Sequence, residues 1–412
     1  MRTARIAAAA ALVLSIAGIL PAAGIAQADT GRTTSHSVTA QAANVADSGL
    51  VYRSVAPTRI VDTRNGTGVR YGHLPSGETL TVRAPQGASA VVLNVATVNI
   101  GMDTFLTVYP GGTKRPTVSN LNNAYFGATV SNQVVVPVGP DGTVAFYSQG
   151  AGKVDLIVDL IGSYAKGPQA GGEHQGAAQQ TRVLDTRNGT GAPVGQVGQR
   201  GSVKFKVAGL GGVPADAKDI VLNVTVADNF YATYVTADPD GNPPSFASLN
   251  ARFSAATAQQ VNAKIDDQGY VTLYNHTGSV DLIADVQGYY SSGAGSSFVP
   301  TTPTRLLDTR DSGAGIGPAK SLRLKVTGSA GVPEGTRSVL VNLTALPGGN
   351  GFLTAYAAGS TRPNTSTVNF DWSGTTANLA WVPVSADGSI EIYNHSGSST
   401  GLLVDVQGYL AG

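Results

Sequence analysis

The residues best suited to chemistry in this chain recur. Asp62 with Arg64, Asp185 with Arg187, and Asp308 with Arg310 each sit inside one six-residue phrase, Arg-(Ile/Val/Leu)-(Val/Leu)-Asp-Thr-Arg, at 59–64, 182–187 and 305–310. Successive aspartates are 123 residues apart. Other polar positions return at matching places: Asn94, Asn223 and Asn342 inside apolar runs; Asn122, Asn250 and Asn369 after Ser or Thr; Asp159, Asp285 and Asp405 near the end of each unit. Asp and Arg two apart on a strand share a face and can form a bidentate ion pair. These residue types also grip sugar hydroxyls, and carboxylates can hold a hard cation such as calcium. Paired carboxylates could hydrolyse a glycosidic bond. The scaffolding reading is favoured, because an Asp or Asn inside an apolar strand must find hydrogen-bond partners. It makes the fifteen residues above a structural polar network bracing each copy from within. No D-x-D-x-D-G loop is present, so no metal site is expected. An arginine beside Asp62 would keep it ionised, which is wrong for a general acid.

Candidate ligand contacts come from aromatic and amide positions. Tyr274-Asn275-His276 and Tyr393-Asn394-His395 precede Gly-Ser turns, where a loop could present a phenol, an amide and an imidazole together. The first unit has Tyr147-Ser148-Gln149 instead. Tyr109 and Tyr356 also match, with Asp238 at that place in the second unit. Three further aromatic sets read as core or sheet-face packing: Phe105, Tyr234 and Phe352; Tyr147, Tyr274 and Tyr393; Tyr164, Tyr289 and Tyr409.

No catalytic residue and no cofactor are expected. Of five histidines, His36 and His174 fall in linker-like sequence and His73 has no counterpart. Gly397-Ser398-Ser399-Thr400-Gly401 matches G-x-S-x-G, but a strand follows where that motif needs a helix. No zincin motif, P-loop or dinucleotide-binding glycine pattern occurs in its required context.

The elements that must position these residues read as strands. Apolar residues alternate with period two in Thr79–Arg83, 203–207 and 322–326, and run continuously in 90–95, 220–224 and 339–343. Asp141-Gly142, Asp240-Gly241, Asp387-Gly388, Asn65-Gly66 and Asn188-Gly189 mark turns. About eight strands per unit, at ~8–12-residue spacing, fit a sandwich or barrel. The fold class expected is all-β, with three tandem antiparallel β-sandwich, jelly-roll-like modules at 50–164, 179–290 and 298–412. Linkers are expected at 165–178 and 291–297, after a disordered lead-in at 29–49.

Residues 1–28 read as a secretory signal peptide. Arg2 and Arg5 precede an apolar stretch, and Ala26-Gln27-Ala28 supplies a cleavage site. Nothing later reads as a membrane span. The chain has no cysteine, so a secreted form must be stable through its cores alone. Formal charge is +1, from 27 Lys+Arg and 26 Asp+Glu, and falls to −1 without the signal. That balance offers no electrostatic drive toward nucleic acid.

The phrase Arg-Leu-Leu-Asp-Thr-Arg, together with Phe-Leu-Thr-x-Tyr, Ser-x-Leu-Asn, Val-Pro-Val-(Gly/Ser)-x-Asp-Gly and the closing Asp-Val-x-Gly-Tyr, resembles a tandem repeat of secreted proteins from high-GC Gram-positive bacteria. In those proteins the repeat stands alone or is appended to extracellular hydrolases. The resemblance covers nearly the whole chain after the signal and implies an accessory binding or surface-attachment role. The resulting expectation is a secreted or loosely wall-associated, non-catalytic, multivalent binder of polysaccharide or cell-wall glycan. A structural or assembly component with protein partners at the cell surface is the alternative, and a hydrolase with a site in one module is the second.

Overall fold

The computed structural model describes residues 50–99, 103–124, 127–166, 173–238, 246–291 and 297–411. The signal peptide and lead-in expected at 1–49 lie outside these residues. Module 1 holds β1 (Leu50–Asp62), β2 (Thr79–Arg83), β3 (Ala90–Asn99), β4 (Thr104–Pro110), β5 (Leu121–Asn123), β6 (Thr129–Pro137), β7 (Thr143–Gly150) and β8 (Val154–Lys166). Module 2 repeats them as β9 (Glu173–Asp185), β10 (Ser202–Lys206), β11 (Asp219–Ala227), β12 (Thr233–Ala237), β13 (Leu249–Ala251), β14 (Thr257–Lys264), β15 (Tyr270–Asn275) and β16 (Asp281–Ser291). Module 3 has β17 (Phe298–Asp308), a one-turn helix α1 (Thr309–Ser312), β18 (Ser321–Lys325), β19 (Ser338–Ala345), β20 (Gly351–Ala357), β21 (Val368–Phe370), β22 (Thr376–Pro383), β23 (Ser389–Asn394) and β24 (Leu402–Leu410).

Each module is two antiparallel four-stranded sheets. In module 1 their orders are β1-β8-β3-β6 and β2-β7-β4-β5, and modules 2 and 3 repeat both. This is the strand order of a jelly roll. The expected fold class, all-β in three jelly-roll-like sandwiches, is what the chain adopts.

The apolar runs explain how the modules meet. On β3, Val91, Leu93 and Val95 enter module 1's own core. Alternate residues of a strand face opposite ways. Ala90 and Val92 accordingly join a second core, shared by all three modules, with Tyr52, Tyr164, Val221, Tyr290, Phe298, Leu340 and Trp381. A strand buried on both faces reads as a continuous apolar run, which is why 90–95, 220–224 and 339–343 do not alternate.

The shared core is aromatic. Tyr52 stacks on Tyr290 at 4.1 Å between ring centroids, His174 stacks on Trp381 at 4.2 Å, and Tyr164 meets Phe298 at 4.5 Å. The Tyr164 and Tyr290 hydroxyls are 2.8 Å apart. Tyr52, His174 and Phe298 hold the same register position in the three modules, opposite Tyr164, Tyr290 and Leu410. Gly162, Gly288 and Gly408 make room for them, since a Cβ there would sit 2.4–2.5 Å from the Tyr52, His174 or Phe298 ring.

Three expectations need correction. Within the linker expected at 165–178, both described ends are strand: β8 continues to Lys166 and β9 starts at Glu173. His174 lies in β9 and is 1% exposed, and burial drops its pKa to about 3, so it sits neutral in the shared core. Tyr164 is equivalent to Tyr290, not Tyr289, because both pair with the first residue of the neighbouring strand, Ala90 or Asp219.

The edge strands β6, β14 and β22 pack against one another. An exposed edge leaves unpaired backbone groups. Here side-chain amides from the neighbouring module cap several of them. Leu379 N–H donates to Asn132 Oδ1, Gln260 N–H to Asn378 Oδ1, and Val135 N–H to Gln407 Oε1.

Asn94, Asn223 and Asn342 complete a cycle. Asn94 Nδ2 donates to Ala247 O of module 2, Asn223 Nδ2 to Ser366 O of module 3, and Asn342 Nδ2 to Ser119 O of module 1. Each also meets a neighbour's amide: Gln259 Nε2 donates to Asn94 Oδ1, Asn378 Nδ2 to Asn223 Oδ1, and Asn132 Nδ2 to Asn342 Oδ1. The interface is head-to-tail and closes after three copies, a pseudo-threefold ring within one chain. These asparagines, expected to brace each copy from within, tie one copy to the next.

Candidate functional site

The repeated phrase builds one structure in every module. Asp62, Asp185 and Asp308 end the first strands, and each carboxylate turns back onto the arginine two residues on. Arg64 Nε and Nη2 lie 2.9 and 2.7 Å from the Asp62 oxygens, and Arg187 lies 2.9 and 2.8 Å from those of Asp185. The pair forms in the turn after the strand, helped by the Arg64 backbone N–H on Asp62 Oδ1, and not by a shared strand face. The phrase's first arginine, missed as a member of the set, links the two repeated aspartates. Arg59 Nε is 2.9 Å from Asp159 and its Nη1 is 3.3 Å from Asp62; Arg182 does the same with Asp285 and Asp185, and Arg305 with Asp405 and Asp308. The intervening threonine stitches the turn to the last strand: Leu156, Leu282 and Leu402 N–H groups donate to Thr63, Thr186 and Thr309 Oγ1.

The two aspartates of each set are pushed apart electrostatically. Hydrogen bonds from the neighbouring arginine hold Asp62 and Asp185 below the ordinary carboxylate value and Asp308 at about 2. Burial outweighs the arginine at the other member, raising Asp159 and Asp285 and bringing Asp405 to about 6. The lowered group contributes stability above the unfolded-state pKa, ~4, and loses it as pH falls toward the folded value. The raised group does the reverse, since the folded chain takes up its proton first, so its contribution grows as pH falls from ~7 to ~4. Buried His174 opposes this growth, because the unfolded chain takes up its proton from ~pH 6.5 downward while the folded chain does not, so the aspartates are read from the difference between variant and wild type in urea unfolding across pH. Relative to the wild type, Asp405→Asn should lose the gain between ~pH 7 and ~4, and Asp308→Asn the loss below ~pH 4. Variants whose stability runs parallel to that of the wild type over the whole pH range would contradict this assignment.

The candidate ligand residues divide. Tyr109, Tyr356 and Tyr274 are buried. Asn275 Nδ2 donates to Val197 O and Gly278 O, and its Oδ1 accepts from Thr233. Asn394 Nδ2 donates to Ile316 O and Ser398 O, and its Oδ1 accepts from the Ser396 N–H. Both amides are consumed by loop carbonyls, which corrects their reading as ligand contacts. Tyr393 is half-buried beneath the Arg362 guanidinium, 3.7 Å from the ring centroid. His276 stacks on Tyr234 at 4.3 Å and His395 on Phe352 at 4.1 Å, both half-buried.

Of these eight residues, His276 lines a cleft of about 740 Å³. All three modules contribute: Gly127–Thr129 from module 1; Thr233, Tyr234, Asn250–Ala255, His276 and Thr277 from module 2; Asn350 and Asp371–Ser373 from module 3. Phe253 and Trp372 line it while 60% and 73% exposed. Phe230 and Tyr231 extend the aromatic surface, with Phe230 edge-to-face on Phe253 at 5.5 Å. Arg252 Nη2 reaches Asp371 Oδ2 at 2.8 Å across the module 2–3 boundary. Burial works against ionisation of Asp371, but hydrogen bonds from Ser373 and Arg252 outweigh it and keep the carboxyl below its ordinary value. Asn122, Asn250 and Asn369 ring a smaller opening beside the cleft, where the three edge strands begin. Among the described residues no cluster of His, Cys, Asp and Glu is arranged to hold a metal ion. No helix among them is long and apolar enough to cross a membrane.

No protein-family model matches the chain, and no curated protein matches it. Solved structures do align with it. One is described as "The Triple Jelly Roll Fold and Turret Assembly in an Archaeal Virus", at 9% identity and TM-score 0.20, covering 88% of this chain and 92% of that one. Another, from Sulfolobus Turreted Icosahedral Virus, aligns at 9% identity and TM-score 0.19 with the same coverage. A third is the N-terminal CBM22-1-CBM22-2 tandem domain from Paenibacillus barcinonensis Xyn10C, at 12% identity and TM-score 0.18, covering 58% of this chain and all of that one.

Proposed function

We propose that the protein is a secreted, non-catalytic glycan-binding protein whose principal site is the cleft formed jointly by the three modules. The observation that carries this reading is the pair of exposed aromatic side chains, Phe253 and Trp372, beside an ionised Arg252–Asp371 pair in one cleft. A sugar ring offers an apolar face for stacking and hydroxyls for planar polar groups, and clefts of a few hundred Å³ with a few convergent polar groups are the usual form of such sites. Asp371, held ionised, accepts from hydroxyls, and Asn350, Ser373 and Thr277 add donors and acceptors. Hydrolysis fits the cleft poorly. It needs two carboxyl groups flanking the bond, one of them protonated, and among the described residues lining the cleft Asp371 is the single carboxylate.

Because the cleft is shared, one principal site per chain is expected, in place of avidity from three independent modules. Titration calorimetry with neutral β-glucan, xylan, chitin and peptidoglycan fragments tests this. Trp372→Ala should weaken the best ligand at least about tenfold, ~1.4 kcal/mol, as expected for a tryptophan anchor. Absence of binding to every glycan, or unchanged binding by Trp372→Ala, would overturn the reading.

A further inference from the structure

A second groove, about 400 Å³, lies between modules 1 and 3 and shares no aromatic residue with the first. Among the described residues its lining includes three arginines, Arg115, Arg305 and Arg310, and no carboxylate. Arg305 is fully committed to Asp308 and Asp405. Arg310 uses Nε and Nη2 on Asp308, and its Nη1 has no partner among the described residues. Two arginines against two aspartates cancel, so Arg115 is the surplus charge. Its guanidinium lies 3.8 Å from the centroid of the Tyr147 ring, and no carboxylate among the described residues pairs with it. Stacking fixes the plane of the fork while leaving its edge donors free, the arrangement suited to gripping a planar or tetrahedral oxyanion.

The stack recurs. Arg362 lies 3.7 Å over Tyr393 in module 3. Both arginines stand four residues before the carbonyl, of Ser119 or Ser366, that receives the neighbouring module's asparagine. At that place module 2 carries Pro243. Nothing in the scaffold therefore requires the arginine, since the interface with Ala247 forms without it.

We propose that the Arg115 groove binds an oxyanion borne by an acidic polymer, a uronate carboxylate or a backbone phosphodiester, with Arg115 and Arg310 as the contacting groups. Ser119, Asn122 and Gln149 are placed along the same groove to reach adjoining hydroxyls. The site is separate from the Trp372 cleft and stands or falls independently of it.

The test is binding of the full chain to polygalacturonate and, in a second arm, to poly(glycerol phosphate), in low salt and again in high salt. At least one polymer should bind, with affinity falling as salt rises. Arg115→Gln should lose about tenfold, the size of one charge-assisted contact. Arg323→Gln removes the same charge from an exposed pair with Asp387 and should change affinity less than about twofold. Binding in one arm identifies the anion. Failure of both polymers, or equal loss in Arg115→Gln and Arg323→Gln, would overturn the proposal. Trp372→Ala, which disables the other cleft, should leave this binding intact.

Discussion

Trp381→Ala should destabilise the protein by about 3–5 kcal/mol, the usual cost of emptying a large aromatic site in a packed core. Trp381 belongs to β22 of module 3, but its ring stacks on His174 of module 2 and packs edge-to-face on Phe298 of module 3. Its backbone N–H donates to Gln287 Oε1 of module 2. The cavity would open between modules, leaving the separate core of module 3 untouched. Denaturant unfolding followed by fluorescence and by circular dichroism should show both probes moving together to lower midpoint. A fluorescence shift with no change in the unfolding midpoint would mean that the shared core contributes little.

Arg182→Met should be comparably damaging, again about 3–5 kcal/mol, because removing one partner strands a buried charge. Asp285 is fully buried and Arg182 provides its two hydrogen bonds at 2.9 and 3.2 Å. Asp185 loses a bond too, but keeps Arg187. The companion Arg182→Met/Asp285→Leu, in which both charges are replaced by apolar groups, should recover most of the loss, since paired replacement of a buried ion pair is often close to neutral. Chemical unfolding of the two variants side by side measures this. Equal destabilisation in single and double variants would mean that shape, not charge compensation, governs the site.

The sequence made the module count and strand content readable because both rest on local signals. The phrase ending in Asp62, Asp185 and Asp308 set the period, and the alternation at Thr79–Arg83 and its counterparts marked strands with one wet face. The ring was harder to see, though its signal was present. Ala90 to Val95 lacks alternation because two different cores claim its two faces, and a run of that kind is equally what a central strand of an isolated sandwich would show. Asn94 inside it announced a buried amide, but periodicity cannot say whether the partner belongs to the same module. His174 was misplaced because Gly- and Gln-rich flanks mimic a linker, while its stacking partner Trp381 lies more than two hundred residues away. In the cleft, His276 stands at a position that a second module repeats, whereas Phe253 and Trp372 lie where the modules differ. Their loops vary between modules, and a comparison of repeats selects what is constant. Ligand contacts that distinguish one copy from another are hidden from it. Exposed aromatics in short loops after a Leu-Asn or Val-Asn pair were the available signal.

The three sandwiches share a core and a cleft that belong to none of them alone, and so should behave as one body. Scanning calorimetry of the chain from Asp29 onward tests this most directly. The structure predicts a single cooperative endotherm that shifts as a whole when Trp381 is truncated. Three resolved transitions, with only the one belonging to module 3 displaced, would contradict it.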